Sequence, residues 1–131
     1  MRRIALCALI GLAAVACSSN SGSNSQTRPQ STAKLAILQP TSGQTVDGKD
    51  VEVKLQLTGG TITKVTTKNI KPNIGHIHLR LDGATITLLG SLDDHIRNVD
   101  AGQHILQAEF VAADHGPFDP DILSTVTFTA K

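Results

Sequence analysis

The sequence is poor in aromatic side chains, and its charges nearly cancel. Its 131 residues include three Phe, no Trp and no Tyr, and 12 basic residues stand against 11 acidic ones. A net charge of +1 gives no electrostatic footprint for nucleic acid, and so few rings leave little for bases to stack on. We therefore expect no nucleic-acid partner, and a core that is mainly aliphatic.

Cysteine is scarce as well, and both cysteines lie near the start of the chain. Met1-Arg2-Arg3 is a short positive region, Ile4 to Val15 carries no charge, and small residues lead up to Cys17. This run is too short to span a membrane and is typical of a secretory signal. Because Cys7 lies within that signal, the mature chain has no pair of thiols from which to form a disulfide.

The residues before the second cysteine, Ala-Val-Ala-Cys at 14–17, resemble the bacterial lipobox, in which the cysteine is diacylated and becomes the new N-terminus. The resemblance implies a lipoprotein signal peptide over residues 1–16 and lipidation of Cys17. The protein would then be extracytoplasmic and lipid-anchored to the cell membrane, or to the outer membrane of a Gram-negative host. An ordinary signal peptide cut near Ala16, leaving Cys17 as a free thiol, is the alternative.

A polar segment follows that cysteine. Residues 18–32 hold Ser, Asn, Gly, Gln and Thr with one Arg and one Pro, and no aliphatic side chain. Such a segment cannot bury enough surface to order itself, so residues 17–33 are predicted to be the lipidated cysteine and a flexible tether. Without Arg2 and Arg3 the basic residues number 10 against 11 acidic, and we expect acyl chains, not overall charge, to hold the protein at the membrane.

From Lys34 to Lys131 the sequence has the texture of a β protein. In residues 51–57, VEVKLQL, apolar and polar side chains alternate, as expected for a strand with one buried face. The Asp82-Gly83 pair favours a hairpin. Further strands are predicted over residues 35–38, 62–67, 76–81, 84–89, 104–112 and 122–130. The predicted fold is all-β, an immunoglobulin-like antiparallel β-sandwich of about seven strands.

Residues 100–106, DAGQHIL, have the form of the tyrosine corner, with His104 in place of the tyrosine. If Leu106 and Phe110 face the core, His104 has the same parity and points inward. We predict a structural corner in which its ring bonds back to the backbone near Asp100.

The five histidines all fall after residue 75, and they are the residues that suggest chemistry. His76 and His78 are two apart, on one face of a predicted strand, where neighbouring imidazoles can chelate a metal ion. His95 and His115 lie in predicted loops. The candidate site takes zinc or copper(II) through His76 and His78 with His115 or His95. The alternative is a polar outer sheet face, continued by Arg80, with loop histidines that merely cap turns.

The motifs GHIHLRLDG at 75–83, HIR at 95–97, DAGQHIL at 100–106 and ADHGPFDP at 113–120 together resemble a family of small secreted bacterial domains of unknown function. The resemblance implies an immunoglobulin-like sandwich in an envelope protein, with histidines on motif positions, and it implies no established activity.

Catalytic signatures are lacking. The sequence has no G-x-S-x-G elbow, no catalytic cysteine, no paired-carboxylate motif and no phosphate-binding loop before a helix. We expect a non-enzymatic binding or accessory module that contacts an envelope protein or the cell wall through residues 93–97 and 113–121. The alternative is an envelope metal-binding protein.

Overall fold

A computed structural model describes residues 27–88 and 91–131. The predicted signal peptide, Cys17 and the first part of the tether lie outside these residues. Within them the chain forms nine strands, two of which have only two residues: β1 (Lys34–Gln39), β2 (Thr45–Val46), β3 (Val51–Thr58), β4 (Thr61–Ile62), β5 (Ile74–Leu81), β6 (Ala84–Leu88), β7 (Asp93–Ile96), β8 (Gly102–Ala112) and β9 (Pro117–Ala130). No helix in the described ranges is long and apolar enough to cross a membrane.

The strands form two sheets. One sheet has the order β1-β3-β7, and the other has the order β2-β9-β8-β5-β4, with β6 also paired to β5. Pairing is antiparallel except for two short parallel contacts, β2 with β9 and β4 with β5. The prediction of an all-β, immunoglobulin-like sandwich is confirmed.

The core lies between the sheets and follows the alternation read in the sequence. Val51 and Val53 of β3 are fully buried, as are Ile77 and Leu79 of β5. The Phe110 ring of β8 joins them in the same buried cluster. Each such side chain contributes on the order of 1.5–3 kcal/mol on burial. The core is therefore mainly aliphatic, as its composition predicts.

Strand directions sort the connections into two ends. The upper pole consists of residues 27–33, 59–73 and 113–116, and Thr67 N donates to Ala113 O across it at 3.0 Å. The lower pole consists of residues 40–50, 82–83 and 97–101, and there Val99 N donates to Lys49 O at 3.0 Å.

One predicted strand is wrong. The segment 62–67 is β-branched, but β4 ends at Ile62 and a loop follows as far as residue 73. The threonine hydroxyls of this loop bind nearby backbone amides: Val65 N donates to Thr63 Oγ1 and Asn69 N to Thr67 Oγ1, both at 3.1 Å. Such local bonds compete with strand pairing.

The end of the predicted tether is docked on the sandwich. Arg28 pairs with Asp114, and Asp119 N donates to Pro29 O at 3.0 Å. Ser31 Oγ lies 2.6 Å from Asn73 Oδ1, and Ala33 is only 7% exposed. Hydrogen bonds and one ion pair thus order residues 27–33, although composition alone predicts a flexible segment through Ala33.

Candidate functional site

The first half of the site is strand β5. His76 and His78 alternate with Ile77 and Leu79, whose side chains enter the core, so the two imidazoles lie on the opposite face of the sheet. The preceding residue, Gly75, is required by the pairing with β8, because a Cβ there would lie 1.7 Å from Val111 O. The strand begins with its backbone pressed against β8, and both histidines follow at once.

The second half is the β8–β9 loop. His115 N donates to Ala112 O, and Ala112 N donates to Gly116 O, both at 2.8 Å. His115 has a φ of 65°, in the left-handed region that suits glycine better than most residues. This tight turn folds the His115 ring over strand β5.

Three imidazoles meet as a result. The His115 ring stacks on His76 with centroids 4.2 Å apart and planes at 10°. Nδ1 of His115 lies 2.9 Å from Nε2 of His78. We call these three residues, His76, His78 and His115, the imidazole cluster. His76 is fully buried, so the outer face of this sheet is covered here and not solvated as a simple polar face would be.

Hydrogen bonds fix much of the protonation in the cluster. His76 Nε2 donates to Ala113 O at 3.2 Å, while its buried Nδ1 has no partner among the described residues. Burial lowers the pKa of His78, and the positive charge of His115 lowers that pKa further. One proton serves the contact between His78 and His115, because two protonated nitrogens would repel each other there. At least one ring of the pair is therefore neutral at the contact, and neutral imidazole is the form that binds metals.

The turn that carries His115 is secured from two sides. Arg28 binds both carboxylate oxygens of Asp114, at 2.7 and 2.9 Å, and also donates to Pro117 O at 2.7 Å. This guanidinium holds the pKa of Asp114 down at about 2. Thr66 Oγ1 lies 3.1 Å from His115 Nε2. Asp114 is thus engaged by Arg28 and does not orient an imidazole.

His95 is not brought to the cluster. It lies in strand β7 and not in a loop, and it pairs there with Glu52 in the three-stranded sheet. Its Nδ1 is 2.8 Å from Asp50 Oδ1. Asp94 binds the His95 backbone amide. The prediction that His95 lies in a loop is therefore wrong, because β3 recruits this segment as a strand of the opposite sheet, and His95 is not part of the imidazole cluster.

The cluster does not form a three-ligand metal site. Across residues 27–88 and 91–131, no group of three or more His, Cys, Asp or Glu side chains has a geometry that could hold a metal ion. The Nε2 atom of His76 is already bonded to a backbone carbonyl, and its ring stacks on that of His115. His76 therefore contributes packing to the cluster. The two nitrogens that face each other belong to His78 and His115.

His104 lies apart, at the lower pole. Its Nε2 is 2.8 Å from Asp100 O, and its Nδ1 is 2.6 Å from Asp82 Oδ2. Since both partners are acceptors, both ring nitrogens carry protons, and the bond to the Asp82 carboxylate raises the pKa of His104. The Asp100 contact has the form of a tyrosine corner. The role of Asp82 was missed from sequence, where its only signal was the Asp-Gly turn.

Sequence comparison finds no family model and no curated protein that matches this chain. Solved structures do resemble it. Fibronectin(III)-like modules of Clostridium thermocellum CbhA align with a TM-score of 0.52 and 17% identity, over 74% of this chain and 94% of theirs. An engineered protein aligns with a TM-score of 0.51 and 14% identity, over 76% of this chain and 20% of its own length. The PKD domain of human KIAA0319 gives 0.46 and 10%, over 85% and 90%. At these identities the likeness to the CbhA modules shows the fold alone.

Proposed function

We propose that this chain is a lipid-anchored protein of the bacterial cell envelope, and that it presents a non-catalytic β-sandwich as a binding or accessory module. The observation that carries the proposal is the small-residue site ending at Cys17, followed by a polar segment that reaches the sandwich at Arg28. An acyl anchor needs such a spacer between the bilayer and the folded unit. Fibronectin-like sandwiches, whose fold this chain shares, suit a displayed module of this kind.

The arrangement around His115 supports a non-catalytic role. A hydrolytic site needs a nucleophile, a base and a third group that orients the base. The carboxylate next to His115, that of Asp114, is neutralised by Arg28, and the third group of such a triad is not built from it. The displayed sandwich would then bind an envelope protein or the cell wall without carrying out a reaction at this loop.

Fractionation of cells that express Cys17→Ser tests the anchor. The unchanged protein should sediment with membranes, resist washing with high salt and alkaline carbonate, and dissolve in detergent. Cys17→Ser should appear in the soluble extracytoplasmic fraction. Cys7→Ser is the matched control, since that cysteine lies within the predicted signal and its loss should leave anchoring unchanged. Retention of Cys17→Ser in the membrane fraction would overturn the proposal.

A second candidate function is metal binding by the imidazole cluster, and the 2.9 Å contact between His78 and His115 favours it. Two imidazole nitrogens bound to one zinc ion at about 2.0–2.1 Å in tetrahedral geometry lie roughly 3.3 Å apart. A metal ion would therefore need only a small separation of the rings and would displace the shared proton. Zinc or copper(II) suits imidazole, and water would complete the coordination.

Calorimetric titration with zinc and with copper(II) tests this candidate. We expect a single site that is lost in His78→Ala and in His115→Gly and kept in His95→Ala, which removes a histidine from the opposite sheet. Absence of binding at micromolar metal would end this candidate, and so would binding that disappears in His95→Ala alone. The lipid anchor is independent of either result.

A further inference from the structure

We infer that the upper pole faces the bilayer and that the β4–β5 loop, residues 63–73, contacts anionic lipid headgroups through Lys64, Lys68 and Lys71. This inference rests on the proposed lipid anchor and assigns the anchored domain an orientation and a second, electrostatic contact with the membrane. We call Lys64, Lys68, Lys71 and Val65 the lysine loop.

Charge is distributed unevenly between the two poles. Between Glu52 and Asp82 the sequence contains no acidic residue. All three lysines of the lysine loop are exposed, and none of them takes part in an ion pair within the described ranges. The lower pole holds four aspartates, Asp47, Asp50, Asp82 and Asp100, against two basic residues, Lys49 and Arg97. Although the net charge is near zero, the loop at one end is basic. This loop complements an anionic surface.

An exposed apolar side chain lies among these lysines. Val65 is 64% exposed, more than any other large apolar side chain in the described ranges, and it follows Lys64 directly. Exposure of a valine side chain to water is unfavourable in free energy. This side chain can instead enter the boundary between headgroups and acyl chains while the lysines beside it bind phosphate. Lysine and apolar side chains in combination are typical of surfaces that lie on membranes.

The loop is also held firmly in place. Thr67 N donates to Ala113 O, and Thr63 N donates to Gly75 O at 2.8 Å. Thr66 Oγ1 contacts the ring of His115. The lysine loop is therefore presented on a fixed frame, and little conformational entropy is lost when it meets a surface.

The N-terminal segment that leads to Cys17 leaves the sandwich beside the lysine loop. Asn73 Oδ1 is bonded to Ser31 Oγ and Thr32 N, at 2.6 and 2.9 Å, so the chain leaves the sandwich beside the lysine loop. Eleven residues lead from Cys17 to Arg28, and they span at most about 40 Å. The lower pole lies at the far end of strand β8, roughly 35 Å further away. A lipid on Cys17 therefore attaches the domain at its upper pole, and the lower pole could reach the bilayer only if this segment were almost fully extended.

Three lysines are a weak membrane ligand when they act alone. Each one strengthens binding to an anionic surface by about fivefold. Once an acyl chain confines the domain near the bilayer, this attraction is enough to bias its orientation. The attraction should weaken as salt rises from about 0.1 M to about 1 M, because the screening length falls from about 10 Å to about 3 Å.

Spin labelling of the lipidated full-length mature protein tests the inference. Because Cys17 is acylated, Val65→Cys supplies the single free thiol for a nitroxide, and Ala101→Cys at the lower pole is the matched control. The protein is reconstituted on vesicles of phosphatidylcholine, alone or with phosphatidylglycerol. We expect the Val65→Cys label to be shielded from a water-soluble relaxation agent on the anionic vesicles only. Replacing Lys64, Lys68 and Lys71 by Gln should abolish the shielding, and the Ala101→Cys label should stay accessible throughout.

The outcomes separate the two proposals. If the protein fails to float with neutral vesicles, the lipid anchor itself is wrong. If it floats, but the Val65→Cys label is as accessible as the Ala101→Cys label on anionic vesicles, the anchor stands and the lysine-loop contact is overturned. Shielding that survives the triple Gln replacement would overturn the role of the lysines.

Discussion

The Nε2 atom of His78 lies 2.9 Å from the Nδ1 atom of His115, although 37 residues separate them in the chain. Strand pairing of β5 with β8 and the turn after β8 bring them together. His76 stacks against the His115 ring. Strand pairing and the left-handed turn at His115 thus hold the three imidazoles together.

The constraint in that turn can be measured. His115 has a φ of 65°, so alanine at this position keeps the backbone strain, whereas glycine relieves it. Both variants lose the ring. We expect His115→Gly to be more stable than His115→Ala by about 1 kcal/mol in urea unfolding. Equal stability of the two variants would contradict the left-handed conformation of the turn.

The pair between Arg28 and Asp114 should stabilise the domain at neutral pH. Both side chains are three-quarters or more buried, and loss of a bidentate charged contact of this kind costs about 1–2 kcal/mol. The pKa of Asp114 is lowered to about 2. The stabilisation is therefore present above the unfolded pKa near 4 and is lost as pH falls toward 2.

Urea unfolding of Arg28→Gln between neutral and acid pH checks this expectation. The difference from the unchanged protein should shrink as pH falls below about 4. Lys54→Gln, which breaks the exposed contact of Lys54 with Glu52, is the control and should change stability little. A destabilisation by Arg28→Gln that does not depend on pH would contradict the charged pair.

The His104 corner predicts the opposite dependence on pH. Its pKa is raised by the bond to Asp82, and the pKa of Asp82 is lowered by the same bond. The His104 contribution is complete below its unfolded pKa of about 6.5 and is lost as pH rises through the folded value. The Asp82 contribution is present above about 4 and is lost in stronger acid.

His104→Tyr provides the sharpest comparison, because a tyrosine hydroxyl can still reach Asp100 O but carries no charge in this range. The unchanged protein should lose stability relative to His104→Tyr as pH rises above about 6.5. NMR titration of the His104 ring gives its pKa directly. A value below that of a free histidine would refute the bonded imidazolium.

Gly75→Ala should disrupt the sheet where the imidazole cluster begins. A Cβ at this position would lie 1.7 Å from Val111 O, and relief requires separation of β5 from β8. We expect a loss of at least about 2–3 kcal/mol in unfolding free energy. Gly60→Ala is the control, because its Cβ would meet only the side chains of Leu57 and Ala33. A Gly75→Ala variant as stable as the control would contradict the register of this pairing.

Much of the fold could be predicted from the sequence because its strands are half-buried. Alternation in residues 51–57 and 76–81 identified β3 and β5, and the Asp82-Gly83 turn has positive φ at both residues, as a two-residue hairpin requires. Residues 63–67 were mistaken for part of a strand because threonine favours strands by shape, whereas here the hydroxyls of Thr63 and Thr67 bind the amides of Val65 and Asn69.

The sequence singled out the three histidines of the imidazole cluster, although it offered His95 with them, and it did not predict their geometry. Parity placed His76 and His78 together, and the loop position of His115 made contact possible. The three-ligand arrangement could not be excluded in advance, since it depends on the stacking of His76 against His115. The docked residues 27–33 were missed because they are ordered by the Arg28–Asp114 pair and by hydrogen bonds to residues far along the chain, which composition does not reveal.

Mass spectrometry of the N-terminal tryptic peptide of the mature protein tests whether Cys17 is lipidated. We expect a peptide that begins at Cys17, ends at Lys34 and carries the mass of a diacylglyceryl group on the cysteine, with any further acyl chain on its amine. An unmodified peptide that begins at Cys17 or Ser18 would contradict this lipidation, and the protein would then be secreted without an anchor.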